Sequence, residues 1–465
     1  MTPHAPQLTF PEILERFRAT IPNLRVRGLV LVGTRQETTA SLLLAALNPE
    51  RVALLLTDET RASFPAKVRE RLGEVTDLTL RCPPEQWHCP DGDHTSMLNV
   101  YQGLRSVLEQ WPDLARAEIA VDLTGGKSTM TVGLAKAAHV LQLSSVYIDS
   151  DFVENRPVPG TQRLLIPDDP YAVFGDLEAA EARRLHNHHD YASAASIFHD
   201  LARRVPNNAD YRIYASLADA YLAWDNFAPR QAGEGMDLVL REDRLPADLQ
   251  AARHVLEAQR AVLTRLTSIN RLLSQHDLQP DQALVALTNL DMTLALLGTL
   301  HAAALRRVAQ ERYDIAALLR YRCLELLSQH RLAGYGIWTA KPSFDEALRM
   351  APDLEQRYRN VQRLQRFRKQ FPLPSPDRSI AMFDGYMLLQ ALDDDLVQNW
   401  KIDVIRKQSY VRNTSILAHG FRPIARQEYD EFADVVEELL DRYFAIICRS
   451  RVEWENIHRF AVLDE

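Results

Sequence analysis

Near the end of the sequence Arg412 and His419 are seven positions apart. On a helix this spacing is close to two full turns, which predicts that both side chains project from one face. Gly420 and Pro423 are expected to end that helix, so His419 would lie at its C-terminus, where the dipole favours protonated histidine. A histidine that titrates near neutrality suits proton transfer, and a fixed guanidinium suits charge developing on a phosphate. The pair therefore suits metal-free RNA cleavage by the 2′-hydroxyl, although a capping histidine and a surface arginine would give the same spacing.

A second group that could do chemistry is the stretch VDLTGGKSTM at residues 121–130, where a predicted strand ends and a helix begins. Glycines at such a turn let backbone amides approach a ligand, and the start of a helix favours phosphate. Loops after other parallel strands end at the same edge of a sheet, which predicts a nucleotide cleft there. The candidate ligand-binding residues are Gly33, Thr34, Arg35, Thr57, Thr124, Gly125, Gly126, Lys127 and Ser128.

Other interpretations of these polar residues stay open. Gly126-Lys127-Ser128 matches the end of an ATPase phosphate-binding loop, but Val121 occupies the place of its leading glycine. A tight turn without a ligand would need the same glycines. A metal site is a further alternative, although the cysteine spacing differs from that of zinc ribbons, and its ligands would be Cys82, His88, Cys89 and His94.

The elements that position the glycine turn follow an alternating pattern between residues 25 and 167. Strands are predicted at residues 26–32, 52–56, 78–81, 118–123 and 145–148, and a hairpin of 152–156 with 163–166 at the edge. Amphipathic helices are predicted at residues 39–47, 66–72, 96–109 and 129–141. This alternation predicts an α/β, Rossmann-like N-terminal domain with a mostly parallel sheet.

After residues 167–170 the strand signals stop and helical periodicity continues to the end. Residues 177–204 and 209–227 have the pattern of a helical hairpin similar to a tetratricopeptide unit. Further helices are predicted at residues 382–392, 395–417 and 427–448. We therefore expect three domains: 1–170, an all-α connector at 171–300, and an all-α C-terminal domain at 301–465.

The charge of the chain limits its partners. The net charge of −8 argues against a protein that coats nucleic acid along its whole surface, so any RNA contact must be local. Residues 357–369 and 401–426 are locally basic; the first stretch either guides RNA or only faces solvent. The absence of a long apolar run or a secretion signal predicts a cytoplasmic protein that does not contact a membrane.

The turn Asp122-x-Thr124-Gly125-Gly126, followed by Lys127 and then Met130 at the start of a helix, resembles the signature of CARF domains, the cyclic-oligoadenylate sensors of type III CRISPR systems. In that family two domains pair and a ring of adenylates binds across the two-fold axis. The resemblance implies a homodimer and an activating cyclic oligoadenylate, expected to be cyclic tetra-adenylate, with no other cofactor and no metal. Slow cleavage of the ring by Thr34, Thr124 and Lys127 is an added hypothesis.

The sequence Arg412-Asn413 followed by Ala418-His419-Gly420 resembles the active-site motif of HEPN ribonucleases. The resemblance implies that Arg412, Asn413 and His419 are catalytic, in a cleft formed by two subunits. With both motifs in this order, the chain resembles an ancillary CRISPR ribonuclease of the Csm/Csx class, activated to cut single-stranded RNA, with no role for DNA. The alternative is a ligand-sensing regulator whose C-terminal helices bind a partner.

Overall fold

The computed structural model describes residues 8–33, 37–154, 156–168, 173–206, 208–417 and 420–464, apart from the side chains at 408, 411 and 412. The chain divides into two compact units, Met1–Ala172 and Val173–Glu465. Thr34, Arg35 and His419 lie outside the described residues, and Arg412 is described only by its backbone.

The first unit is built on a five-stranded mixed sheet. Its strands are β1 (Gly28–Val32), β2 (Arg51–Leu55), β3 (Ile119–Asp122), β4 (Ser144–Asp149) and β7 (Arg163–Leu165), in the order β2-β1-β3-β4-β7. The first four run parallel, with Gly28 opposite Arg51 and Ile119, and β7 is antiparallel to β4. Short strands β5 (Phe152–Val153) and β6 (Arg156–Pro157) form a separate pair.

Helices cover both faces of this sheet. They are α1 (Phe10–Arg18), α2 (Thr38–Leu47), α3 (Asp58–Arg61), α4 (Phe64–Leu72), α5 (Met97–Gln110) and α6 (Ser128–Val140). Side chains alternate along β1, so Leu29 and Leu31 join a core with α1, α2 and α4, whereas Val30 and Val32 join a core with α5 and α6. Because both faces are buried, the strands are apolar throughout rather than alternating in sequence.

Two predicted strand features are wrong. Residues 78–81 form no strand, because the side-chain amide of Asn48 hydrogen-bonds to their backbone. It donates to the Thr79 carbonyl at 3.0 Å and accepts from the Arg81 N–H at 2.8 Å. The edge of β2 instead pairs with the single residue His88. The predicted hairpin of residues 152–156 with 163–166 does not form either, since β5 pairs with β6 and β7 pairs with β4.

The second unit is helical over its described residues, apart from one bridge between Ser415 and Arg422. Its helices are α7 (Asp176–Asn187), α8 (Tyr191–Arg204), α9 (Ala209–Asp225), α10 (Pro229–Leu240), α11 (Ala247–Ala251), α12 (Arg253–Leu273), α13 (Pro280–Thr288), α14 (Leu290–Ala309), α15 (Tyr313–Ala333), α16 (Asp345–Met350), α17 (Leu354–Leu364), α18 (Met382–Ala391), α19 (Asp403–Asn413), α20 (Arg426–Ile447) and α21 (Arg451–His458). No single described helix is long and apolar enough to cross a membrane; only α13 and α14 taken together are, across a bend of 73°.

The second unit has two large apolar cores. One is formed mainly by α7 to α12 and the other mainly by α13 to α20. Residues 459–464, which follow α21, complete the first core: Phe460 stacks on Tyr221 with ring centroids 4.0 Å apart. The Asn187 side chain donates to the Leu463 carbonyl and accepts from its N–H at 2.8 and 2.9 Å. The end of the described chain is thus built into helices more than 200 residues earlier.

Candidate functional site

The glycine turn after β3 is fixed by side chains of the turn itself. The Thr124 N–H donates to the buried Asp122 carboxylate at 2.9 Å, and the Thr124 hydroxyl accepts from the Ile148 N–H of β4 at 2.8 Å. Burial raises the pKa of Asp122 to about 6, and its hydrogen bonding with Thr124 opposes this rise. Asp122 and Thr124 therefore shape the backbone of the turn, and the Thr124 hydroxyl is already used in holding it to β4.

Two of the predicted glycines are required by close packing. Gly126 has φ +95°, and a Cβ there would lie 2.8 Å from Val32 Cγ1 at the end of β1. A Cβ on Gly33 would lie 2.5 Å from Leu56 Cδ2 and 3.0 Å from the Thr60 hydroxyl. The turn after β3 and the loop after β1 therefore meet at one edge of the sheet, as the sequence predicts for parallel neighbours.

From Gly126 onward, the turn is exposed to solvent. Gly126, Lys127 and Ser128 are exposed at the start of α6, and no side chain caps this helix. Its first N–H groups and its dipole can therefore receive an anion. Thr57 differs from these residues, because its buried hydroxyl caps α3 by accepting from the Thr60 N–H at 3.2 Å. That bond leaves the Thr57 hydroxyl less available to a ligand.

Among the described residues, the four alternative metal ligands are not gathered into a group that could share one ion. His94 is buried, with Nδ1 2.8 Å from the Leu56 carbonyl oxygen and its ring against Gly103. Cys82 is buried in the core beneath α4, and burial raises the pKa of its thiol and that of Cys89.

The helix that carries Arg412 ends earlier than predicted, and His419, which was predicted on the same helix, lies outside the described residues. Helix α19 ends at Asn413, so Arg412 lies in its last turn and the exposed Asn413 is its final residue. Thr414 follows this last residue, and both its N–H and its hydroxyl donate to the Tyr410 carbonyl at 3.0 Å. The extent predicted for this helix, residues 395–417, is therefore wrong, because α19 spans Asp403–Asn413.

Two backbone hydrogen bonds join described residues on either side of residues 418–419. The Gly420 N–H donates to the Ser415 carbonyl and the Ile416 N–H donates to the Arg422 carbonyl, both at 3.0 Å. A Cβ on Gly420 would overlap the Thr414 carbonyl oxygen, so only glycine fits there. Gly420 directly follows His419 in the sequence, and it packs against Thr414, which is two positions after Arg412. Gly420 therefore lies against Thr414, the residue that follows α19.

The loop is also anchored to the surrounding helices. Arg422 forms two hydrogen bonds to Glu428 on α20, at 3.0 and 2.7 Å. The Ile424 N–H donates to Asp314 at the start of α15. Large apolar side chains remain exposed around the motif, namely Tyr410, Ile416, Leu417 and Phe421. Such a patch on an otherwise polar surface is typical of an interaction face.

Sequence reasoning missed a buried charged network that supports this region. Arg320 on α15 is 2% exposed and donates to His301 and Tyr429 at 2.6 and 3.2 Å, and it pairs with Glu437 at 2.7 Å. Burial, followed by the charges of Arg320 and Arg451, lowers the pKa of His301 to about 2. His301 is thus a neutral acceptor that orients Arg320. Helical periodicity gives no signal for such a network, because its members come from α14, α15 and α20.

Comparisons with known proteins identify the second unit. The family model of the Csm6 6H domain matches residues 174–267, and that of the Csm6 HEPN domain matches residues 287–443. Together the two matches cover more than half of the chain. The chain belongs to the Csm6 family. It is 28% identical over 428 residues to the CRISPR system endoribonuclease Csm6 of Thermus thermophilus, an alignment that covers 88% of this chain and 83% of that protein.

A solved structure, Enterococcus italicus Csm6 bound to cyclic hexa-2'-fluoro-hexa-dAMP, aligns with 94% of this Csm6 chain and 98% of its own chain, with a TM-score of 0.49 and 11% identity. Within this Csm6 protein, residues 412–420 fall inside the HEPN match, whereas the glycine turn after β3 precedes both matched segments. Residues 459–464 follow the HEPN match, yet they pack on the helices of the 6H match.

Proposed function

We propose that this Csm6 protein is an endoribonuclease that cuts single-stranded RNA in type III CRISPR defence after a cyclic oligoadenylate binds its first unit. The observation that carries the proposal is the position of the Arg412 to Gly420 motif inside the HEPN match, with its ends held together by Gly420 and Thr414. The endoribonuclease named for the Thermus relative supports the same activity.

The proposed chemistry needs no metal. His419 takes or gives the proton that moves between the 2′-hydroxyl and the departing 5′-oxygen. The 2′-oxygen bonds to phosphorus as the bond from phosphorus to the 5′-oxygen breaks, and Arg412 stabilises the charge on the phosphoryl oxygens. Asn413 orients the RNA phosphate or the two catalytic groups. Two copies of the motif form one cleft in a homodimer, and the exposed Tyr410, Ile416, Leu417 and Phe421 support a face that a second copy covers.

For the first unit we propose a Rossmann-like CARF sensor whose ring binds at the glycine edge of the sheet. The exposed amides of Gly126, Lys127 and Ser128 at the uncapped start of α6 support a phosphate site. Gly33, Thr34, Arg35, Thr57, Thr124 and Gly125 complete the proposed contacts. A ring of repeating phosphates suits two symmetric copies of this edge, and cyclic tetra-adenylate is the proposed ring.

The proposal also includes the domain bounds, the location of the protein and the fate of the ring. The domains are the sensor at 1–170, the helical connector at 171–300 and the nuclease at 301–465, in a cytoplasmic protein with no DNA or membrane partner. Slow self-cleavage of the ring by Thr34, Thr124 and Lys127 would time the response. Recovery of an intact ring after long incubation would contradict that last point.

The test is cleavage of a fluorescent single-stranded RNA in EDTA, with and without cyclic tetra-adenylate, cyclic hexa-adenylate or linear oligoadenylate. We expect cleavage with one ring only, and none in His419→Ala or Arg412→Ala while those variants still bind the ring. A ring that binds without ever causing cleavage would refute the nuclease and leave a ligand-sensing regulator.

A further inference from the structure

The basic stretch at residues 357–369 divides into two halves of different character. In the first half, Arg357 pairs with Asp353 and Asp393, and Arg359 pairs with Glu355. In the second half four cations are exposed and form no ion pair with a described residue: Arg363, Arg366, Arg368 and Lys369. Only the second half therefore offers free positive charge to phosphates.

Beside these free cations lies a cavity of about 450 Å³ between α17, α18 and the proline-rich segment at residues 371–379. The aromatic side chains of Phe367 and Phe371 line it. Phe367 stacks on Phe383, and the buried Gln362 amide holds the Phe371 backbone through hydrogen bonds of 2.7 and 3.0 Å. Phe367 and Phe371 are thus both held in place by neighbouring side chains, while Phe371 itself remains 52% exposed.

Polar groups without partners face the same cavity. Tyr358 is 3% exposed and lines the cavity, yet its hydroxyl forms no hydrogen bond with any described residue. The Asp384 carboxylate and the Arg378 guanidinium also line it without a hydrogen bond to the described part of the chain. Burial, followed by the charge of Asp384, raises the pKa of Tyr358, so the two groups are close neighbours. An acceptor and two donors therefore converge between aromatic walls, which is the composition of a ligand site.

The cavity also connects to the proposed catalytic helix. Arg406 on α19 donates to the Gln365 carbonyl at 3.1 Å, and its guanidinium lies 5.9 Å from the Phe383 ring centre. Arg412 follows six positions later on the same helix, a rise of about 9 Å. Arg406 thus joins α19 to the segment that carries the free cations.

We propose that this cavity binds one unpaired base of the RNA. The base stacks between Phe367 and Phe371, and its amino group donates a hydrogen bond to the Asp384 carboxylate. This inference rests on the proposed RNA substrate. Stacking on aromatic side chains is common to all bases, whereas a carboxylate accepts from the amino groups of adenine, cytosine and guanine and repels the carbonyl oxygens of uracil. Through its contact with Asp384 the pocket favours bases that carry an amino group over uracil at one position of the bound strand.

The test uses the full-length protein and fluorescent decamers of 2′-fluoro-cytidine or 2′-fluoro-uridine, which cannot be cut by 2′-attack. Cytosine and uracil have almost the same size, so the ratio of the affinities of the two decamers reports the contact with Asp384. We expect the cytidine decamer to bind about tenfold more tightly, and Asp384→Asn to abolish the ratio. Phe371→Ala is expected to weaken both decamers about tenfold, whereas Phe174→Ala, at a phenylalanine of equal exposure (53%), leaves both unchanged.

Salt dependence provides an independent readout. Arg366→Gln with Arg368→Gln is expected to lower the slope of log affinity against log salt by about 1 to 2, whereas Arg359→Gln, at an ion-paired arginine, leaves it unchanged. Equal affinity for both decamers, together with equal effects of Phe371→Ala and Phe174→Ala, would overturn the base pocket even if activated cleavage is observed. Base-selective binding without cleavage under any ring would uphold the pocket and contradict the nuclease.

Discussion

Replacing Gly126 by alanine would test whether the glycine turn is a ligand site or only a turn. The left-handed backbone of Gly126 is strained for alanine, at a cost of about 1–3 kcal/mol. The new methyl group would also lie 2.8 Å from Val32 Cγ1, and relieving such a contact in a packed core costs a further 1–3 kcal/mol or so. The turn must then move by roughly half an ångström away from β1.

Gly92 provides the matched control, because it has a similar φ of +103° with nothing within 4 Å of an added Cβ. Gly92→Ala therefore carries the backbone strain without the contact. We expect Gly126→Ala to lower the opening free energy of β3 by about 1–3 kcal/mol more than Gly92→Ala does. Hydrogen–deuterium exchange of the β3 amides, read peptide by peptide, measures this difference in the first unit alone.

Ring binding is the decisive readout. A backbone N–H lost from a charged phosphate costs about 1.5–3 kcal/mol, so Gly126→Ala should bind cyclic tetra-adenylate roughly ten to a hundred times more weakly by calorimetry. Gly92→Ala should bind it normally. Normal ring affinity in a folded Gly126→Ala protein would show that the turn does not contact the ring.

Three other outcomes are expected. Burial raises the pKa of Asp122 from 3.8 to about 6. Between pH 4 and 6 the folded state therefore holds a proton that the unfolded chain has released. The free energy of unfolding should fall by up to about 3 kcal/mol as the pH rises over this range. Asp122→Asn should remove this dependence in thermal unfolding measured across pH. Arg320→Met should destabilise the second unit by about 3 kcal/mol in urea, whereas Arg322→Met, at a more exposed arginine, should cost under about 1 kcal/mol. Arg422→Met should lower the cleavage rate about tenfold with an unchanged unfolding midpoint, because it releases the motif loop, and Arg426→Met on the exposed start of α20 should change neither.

The parts of the fold that sequence predicted are those with a strong local pattern. The apolar runs of β1, β2, β3 and β4 and the helices between them lie within a few residues of their predicted positions. The strand prediction at residues 78–81 was wrong because this backbone bonds to the side chain of Asn48, which lies 31 to 33 positions earlier. No local sequence pattern encodes such a contact. The hairpin failed because strand partners depend on distant edges of the sheet.

The candidate sites were predictable in composition but not in geometry. The glycines after β3 were identified because a turn that meets another strand needs them, and Gly126 does approach β1. The spacing of Arg412 and His419 also fits a helix, yet α19 ends at Asn413 and Gly420 packs against the Thr414 carbonyl. Polar groups that converge from separate elements, such as Tyr358 and Asp384, leave no periodic signal at all.

The seating of residues 459–464 has a consequence for biosynthesis. Phe460 and Leu463 fill a core whose other members lie mainly between residues 179 and 295, so those helices leave the ribosome long before their last packing partners are made. Until then the stacking surface of Tyr221 has no Phe460 to cover it. Helices α7 to α12 should therefore consolidate only after translation has passed the HEPN segment.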